Sequence, residues 1–159
     1  MNHLSQSKKQ QRYERVLSQL HELLVKTDQP IPRMATIAAV LHHKMDHFFW
    51  TGFYLLTEGE LMVGPYQGAV ACQILAKNKG VCWSAVNNQK SVVVPDVHQF
   101  PGHIACDSRS NSEIVIPLKN NEGTIVGCLD VDSQQFNNFD SIDEIYLSMI
   151  SDLVFQYKN

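Results

Sequence analysis

No stretch of this sequence approaches the roughly 18 consecutive apolar residues that a membrane helix needs. The opening residues, Met1-Asn-His-Leu-Ser-Gln-Ser-Lys-Lys, lack the apolar core of a secretory leader, so export is not expected. Basic residues are in no excess: 13 Lys and Arg stand against 16 Asp and Glu, for a formal charge of -3. That balance removes the electrostatic case for nucleic acid or an anionic membrane surface. The Cys-x-x-Cys spacing of zinc knuckles and thioredoxins is missing, and so are internal repeats and low-complexity tracts. The expected setting is therefore cytoplasmic. There, structural disulfides are rare, and the four cysteines Cys72, Cys82, Cys106 and Cys128 are expected to be buried, metal-binding or catalytic.

What is present suits one globular domain over residues 1–159, with residues 1–7 expected to be a flexible N-terminus. A hydrophobic fraction of 44% in 159 residues is enough for a single core. Apolar residues recur at helical spacing over 8–26 (Tyr13, Val16, Leu17, Leu20, Leu23, Leu24) and again from about Pro32 to Met45. His42, His43 and His47 cluster near the end of the second helix, where adjacent histidines point to different faces. Phe48 to Leu56 reads as a strand with Trp50, Gly52, Tyr54 and Leu56 on one face. Thr57-Glu-Gly-Glu60 reads as its hairpin turn, with Leu61 to Gly64 returning. An extended segment from Ala69 to Leu75, a short helix over Val81–Asn88 and a strand over Ser91–Val94 follow. A second hairpin pairs Glu113–Leu118 with Thr124–Asp132, and a last helix spans about Ser141–Tyr157. Hairpins predominate and βαβ repeats are absent. The expected class is α+β: a mainly antiparallel sheet with the N-terminal helix pair and the C-terminal helix on one face.

Between Val94 and Glu113 lies a loop of roughly fifteen residues, long enough to suggest function. It carries Cys106, His98 and His103. In the last strand Val126, Cys128, Asp130 and Asp132 should share one face, with Ile125, Gly127, Leu129 and Val131 on the other. Hairpin geometry then sets Glu113 beside Asp132 across the ladder. Like charges so placed destabilise each other unless a cation sits between them or one carboxyl keeps its proton. Three readings fit these residue types: a zinc site from Cys72, Cys82, Cys106 and either His98 or His103; a Cys/His hydrolase built on Cys106; and a redox thiol with a resolving partner.

The loop Asp96-Val-His-Gln-Phe-Pro-Gly-His-Ile-Ala-Cys106-Asp-Ser-x-Ser-x-Ser-Glu113-Ile-Val-Ile-Pro resembles the signature of the free methionine-R-sulfoxide reductases, enzymes of the GAF fold. The likeness covers about two-thirds of the chain. It takes in Trp50-x-Gly-Phe-Tyr54, Gly64-Pro-Tyr-Gln-Gly68, Ala71-Cys72-x-Ile74, Gly80-Val-Cys82 and Leu129-Asp130-Val-Asp132-Ser133. Departures are Asn78 and Trp83 where the family usually has glycine, Val70 where a proline is common, and Cys128 at a normally aliphatic position.

The resemblance implies a loop-covered pocket and no bound cofactor or metal. It casts Cys106 as nucleophile on the sulfoxide of free L-methionine (R)-S-oxide, Cys72 as the thiol that resolves the sulfenic acid to a disulfide, and Cys82 as a relay. It implies thioredoxin as reductant, fed by NADPH through thioredoxin reductase. Glu113, Asp130 and Asp132 match acids that protonate the departing oxygen and select the α-ammonium. Trp50 and Tyr54 match an aromatic wall, and backbone N–H groups over 104–106 would receive the substrate carboxylate. Related domains often pair through terminal helices, so a homodimer belongs to the same expectation. The alternative is a non-catalytic GAF sensor module. Asn137-Asn-Phe-Asp140 resembles, at three of four positions, the Asn-Lys-Phe-Asp of cyclic-nucleotide GAF domains.

Overall fold

The computed structural model describes residues 3–103 and 105–156; Tyr157 and the backbone N–H of Ile104 lie outside the described residues. Helix α1 (His3–Leu23) runs through a 3₁₀ turn at Leu24–Lys26 into helix α2 (Pro30–Lys44). Strands β1 (Trp50–Thr57) and β2 (Glu60–Gln67) form the first hairpin. Helix α3 (Gly80–Asn88) leads to β3 (Val92–Val94). The long loop, with one 3₁₀ turn at Val97–Gln99, leads to β4 (Ser112–Lys119), β5 (Ile125–Ser133) and helix α4 (Ser141–Asp152). The five strands form one sheet in the order β2-β1-β5-β4-β3, and every pairing is antiparallel. Among the described residues, no helix is long and apolar enough to cross a membrane.

Most boundaries follow local chemistry. Glu58 and Gly59 both take positive φ between Thr57 and Glu60, the two-residue turn whose twist matches that of the flanking strands. Pro30 and Pro32 fall in the first turn of α2, where the missing N–H groups would have had no helical partner. Strand β2 runs on through Pro65 to Gln67 rather than stopping near Gly64. It is an edge strand, and the pairing skips from Tyr54↔Val63 to Gly52↔Tyr66, so Gly64 and Pro65 sit in a bulge where a missing donor costs little. The segment expected to be extended over 69–75 makes only one bridge, Met62↔Ile74.

The sheet separates two apolar clusters. On one face α1, α2 and α4 bury Tyr13, Leu20, Ile37, Leu41, Leu147 and Ile150 against Phe53, Ile114, Leu129 and Val131. On the other, α3 and the loops pack Val81, Trp83, Ala85 and Val97 against Trp50, Tyr54, Val115 and Cys128. The alternation expected for β5 fails at its start: Ile125 packs with the second cluster and Val126 with the first. The ladder skips from Leu118↔Gly127 to Lys119↔Ile125, and this bulge at Val126 moves the two side chains to opposite faces. Glycine is needed at 127, because a Cβ there would collide with the Tyr54 carbonyl of the neighbouring strand.

Asp143 joins three elements. Asp140 and Asp143 form a capping box that starts α4. The same Asp143 accepts from Lys9 Nζ at 2.6 Å and Tyr13 Oη at 2.6 Å, with His47 Nε2 at 3.2 Å. Burial alone would raise its pKa, but hydrogen bonds from His47, Lys9 and Tyr13 outweigh that and hold it at about 2. The capping box also uses the last residue of the Asn137–Asp140 motif. Asn138 Nδ2 donates to Ser133 Oγ at 2.7 Å and Phe139 is core, so this motif fixes the approach to α4.

Asp143→Ala is expected to cost roughly 3 kcal/mol at neutral pH, since it strands a buried lysine contact and a tyrosine hydroxyl. The folded pKa is depressed, so the stabilisation is complete above about pH 4 and lost as pH falls toward about 2. Urea titrations of both proteins at pH 7 and pH 3 should show the gap narrowing in acid.

Candidate active site

Three side-chain rows cross the centre of the sheet on the face opposite α1, α2 and α4. Strand register sets Trp50 beside Asp132 and Asp132 beside Glu113, then Gly52, Asp130 and Val115, then Tyr54, Cys128 and Pro117. The expected Glu113–Asp132 neighbourhood is therefore present in the ladder. Gly52 is required because the Trp50 indole lies over it: a Cβ would stand 2.6 Å from the ring. Tyr54 and Tyr66 flank that indole, with ring centroids 5.8 and 5.3 Å away.

Trp50, Tyr54, Glu113, Asp130 and Asp132 floor a small cavity of about 50 Å³, lined also by Ala71, Cys82, His103, Cys106 and Ser110. That is the scale of a few ordered waters or one small polar ligand. Glu113 and Asp130 are 5% and 6% exposed. Burial drives the carboxyls of Glu113, Asp130 and Asp132 well above the ordinary range, and mutual repulsion adds to it. One oxygen of Glu113 and one of Asp130 lie within 4.8 Å of each other, and that contact favours a proton on Asp130. Asp130 Oδ1 is buried with no hydrogen-bond partner. Such an atom in a cavity is positioned to receive a donor from a ligand. His103 Nε2 stands 3.6 Å from Glu113 Oε2, and burial lowers its pKa, favouring the neutral ring.

Two loops meet at the cavity mouth, and there Cys72 and Cys106, 34 positions apart in sequence, form a disulfide with Cα atoms 5.5 Å apart. Cys106 is exposed and Cys72 half-buried. The wall aromatics hold the Cys72 loop. Trp50 Nε1 donates to the Ala69 carbonyl at 3.0 Å and Tyr54 Oη to the Cys72 carbonyl at 3.2 Å. Trp83, beside Cys82, is buried with its indole N–H toward the Leu75 carbonyl at 3.5 Å, so it braces the same loop instead of lining the cavity.

The Cys106 loop is tied at both ends. His98 Nε2 bonds Asn111 Oδ1 at 2.9 Å, Asn111 Nδ2 donates to the Gln134 carbonyl at 2.7 Å, and Val97 N–H donates to the Asn111 carbonyl at 3.0 Å. Arg109 clamps the arc that carries Cys106. It grips Asp107 at 2.7 and 3.0 Å, holding that carboxyl down at about 2, and lies 4.8 Å above the Phe49 ring.

Several alternatives that the residue types left open lose their ligands in this arrangement. His98 serves the loop anchor, and Cys72 and Cys106 bind each other, so they and Cys82 do not form a shared zinc set. Cys82 is buried under the cavity beside Cys128, Asp130 and Glu113, and its contact with Cys128, then burial, then the nearby acids push its thiol pKa well up. His42 faces Thr51 Oγ1 at 3.3 Å and His47 faces Asp143, so the histidine cluster is divided between two structural contacts. Arg109 and Ser110 do not stand out in the sequence as site residues. The Asp107-x-Arg109 spacing is the one signal that could have found the former.

The GAF domain profile matches residues 34–156. GAF domain-containing protein A of Dictyostelium discoideum is 47% identical over 152 residues, covering 95% of each chain. The free methionine-R-sulfoxide reductase of Escherichia coli is 45% identical over 113 residues, 70% of this chain and 67% of that one. The structure of the free methionine-R-sulfoxide reductase of Neisseria meningitidis in complex with its substrate superposes with a TM-score of 0.85. It shares 38% identity and covers 89% of this chain and 85% of that one.

Proposed function

This chain belongs to the GAF domain family and, within it, to the free methionine-R-sulfoxide reductases, and from that premise we propose that it reduces free L-methionine (R)-S-oxide to L-methionine by thiol chemistry. One observation carries the reading: Cys106 meets Cys72 at the mouth of a cavity floored by Glu113, Asp130 and Asp132. A sensor module without catalysis gives no account of why those two thiols converge there.

In the reduced enzyme the Cys106 thiolate attacks the sulfoxide sulfur. The sulfur–oxygen bond passes from methionine to cysteine as the oxygen takes a proton, leaving the thioether and a Cys106 sulfenic acid. The proton comes from the Glu113–Asp130 pair, and a carboxyl with a raised pKa is a competent donor near neutral pH. Cys72 then attacks the sulfenic sulfur, water leaves, and the Cys72–Cys106 disulfide results. Cys106 is exposed, so a dithiol protein such as thioredoxin can reach it and take over the oxidation, with NADPH as the ultimate electron source. The cycle requires the thiol-reducing setting of cytoplasm.

Selectivity for the free amino acid follows from the acids. Asp130 Oδ1 and Asp132 offer acceptors to an α-ammonium, which peptide-bound methionine lacks. The aromatic rings of Trp50 and Tyr54 suit the S-methyl end. Backbone N–H groups at Ala105 and Cys106 complete the grip on the carboxylate. Pairing of two copies would cover Ile145 and Met149, exposed one turn apart on α4; sedimentation equilibrium reads it.

NADPH oxidation coupled through thioredoxin and thioredoxin reductase tests the reading. Turnover is expected with the free R epimer and not with the S epimer or with N-acetylmethionine sulfoxide; equal rates on all three would sink it. Tyr54→Phe, which releases the Cys72 carbonyl, is expected to slow disulfide closure several-fold after the first turnover, read by quenched thiol counting.

A further inference from the structure

The proposed cycle runs on Cys106 and Cys72; Cys82 sits in the second apolar cluster, where its sulfur meets two carboxyls. Its sulfur and one carboxylate oxygen each from Glu113 and Asp130 all lie within 4.8 Å of one another. All three residues are at least nine-tenths buried. An independent observation points to a ligand at this spot: Asp130, which lines the cavity, has an oxygen with no partner.

We infer that Cys82, Glu113 and Asp130 form a binding site for a thiophilic divalent cation, zinc in a cell, which occupies the acidic floor of the cavity and shuts the enzyme off. One sulfur with two oxygens excludes magnesium and calcium, which take oxygen shells of six or more, and suits zinc. Each donor has to move by only about half an ångström to reach zinc bonds of roughly 2.0–2.3 Å. The ion displaces the protons of the thiol and the carboxyls to solvent, so no redox partner is needed. Its fourth position opens on the cavity. Cys128, buried against Cys82, can give its S–H to the bound thiolate, which assigns a task to a cysteine the family pattern does not require. The site remains intact in the oxidised chain, because Cys72 and Cys106 are not part of it.

The inhibitory role rests on the proposed substrate; the binding itself does not. The test uses the full chain oxidised at Cys72–Cys106, titrated with Co²⁺ as a spectroscopic stand-in. A thiolate-to-cobalt charge-transfer band is expected to saturate at one ion per chain and to vanish on adding Zn²⁺. It should be lost in Cys82→Ser, while Glu113→Gln, a second variant that keeps the thiol, should weaken binding at least tenfold. Free methionine should raise the apparent Kd for Zn²⁺. Absence of the band or its survival in folded Cys82→Ser would overturn the inference, whereas Cys128→Val should keep the band and bind the ion more weakly. Turnover in chelator-treated buffer is measured separately. A chain that reduces its substrate but binds no cobalt loses only this inference, whereas one that binds cobalt but does not turn over loses the proposed function.

Discussion

Cys106→Ser is expected to lower turnover of free methionine (R)-S-oxide by on the order of a thousandfold or more, to the background of the assay. A serine hydroxyl stays protonated at neutral pH and cannot accept oxygen from sulfur to make a sulfenic acid, so no later step is reached. Cys72→Ser should behave differently. Its nucleophile is intact, so one equivalent of methionine per chain should form in a burst and the cycle should then stall at the sulfenic acid, which a dimedone-type trap would label on Cys106. Steady-state turnover would fall to the rate at which external thiols find that exposed residue. The pair of results separates nucleophile from resolver, a distinction the disulfide alone does not make because it is symmetric in its two sulfurs. A burst in Cys106→Ser, or sustained turnover at the parent rate in Cys72→Ser, would reverse or remove the assignments.

Replacing the acids should have the second largest effect, with opposite signs on rate and stability. Asp130→Asn and Glu113→Gln are each expected to lower kcat by roughly 10²–10⁴-fold, the usual worth of a positioned general acid. The same substitutions should raise stability in alkaline buffer. Burial and mutual repulsion lift these carboxyl pKa values in the fold, so the folded chain holds protons that the unfolded chain releases. Stability then falls as pH rises from the ordinary carboxylate range near 4 through the raised folded values. An amide has no charge to bury, so the variants should melt higher than the parent at pH 8 and lose the difference toward pH 4. Calorimetric melting across that range checks the sign. A variant less stable than the parent at pH 8 would show that the cluster is ionised and compensated. Asp143 opposes this trend below pH 4, since its depressed pKa makes acid destabilising, and the parent should be most stable in mildly acidic buffer.

These opposite shifts explain how one small domain keeps carboxyls in two states. Asp143 has a lysine, a tyrosine and a histidine aimed at it. Glu113 and Asp130 have mainly each other, a thiol and one neutral histidine. The first arrangement holds α1 and α4 together. The second leaves chemistry and an unfilled acceptor facing a cavity.

Much of this was legible in the sequence because it depends on neighbours in the chain. Glu58-Gly59 sets its own hairpin turn, prolines mark the start of α2, and alternation puts Asp130 and Asp132 on one face of β5. Hairpin length was enough to bring Glu113 beside Asp132. The loop signature around Cys106 supplied the family. What stayed hidden depends on register and on contacts between distant segments. The bulge at Val126 exchanges the faces of Ile125 and Val126, and period two cannot foresee an inserted residue. Only packing shows that Trp50 and Tyr54 hold the Cys72 loop, or that Trp83 braces that loop and leaves Cys82 on the cavity floor. The sequence by itself determined the strands, their faces and the reactive groups they carry, since those follow from local backbone preference. The family resemblance named Cys72 and Cys106 as partners. The tertiary structure alone decided where their disulfide sits and which carboxyls go without a counter-charge, because both depend on distance and burial, which exist only once the sheet and its loops have closed on each other.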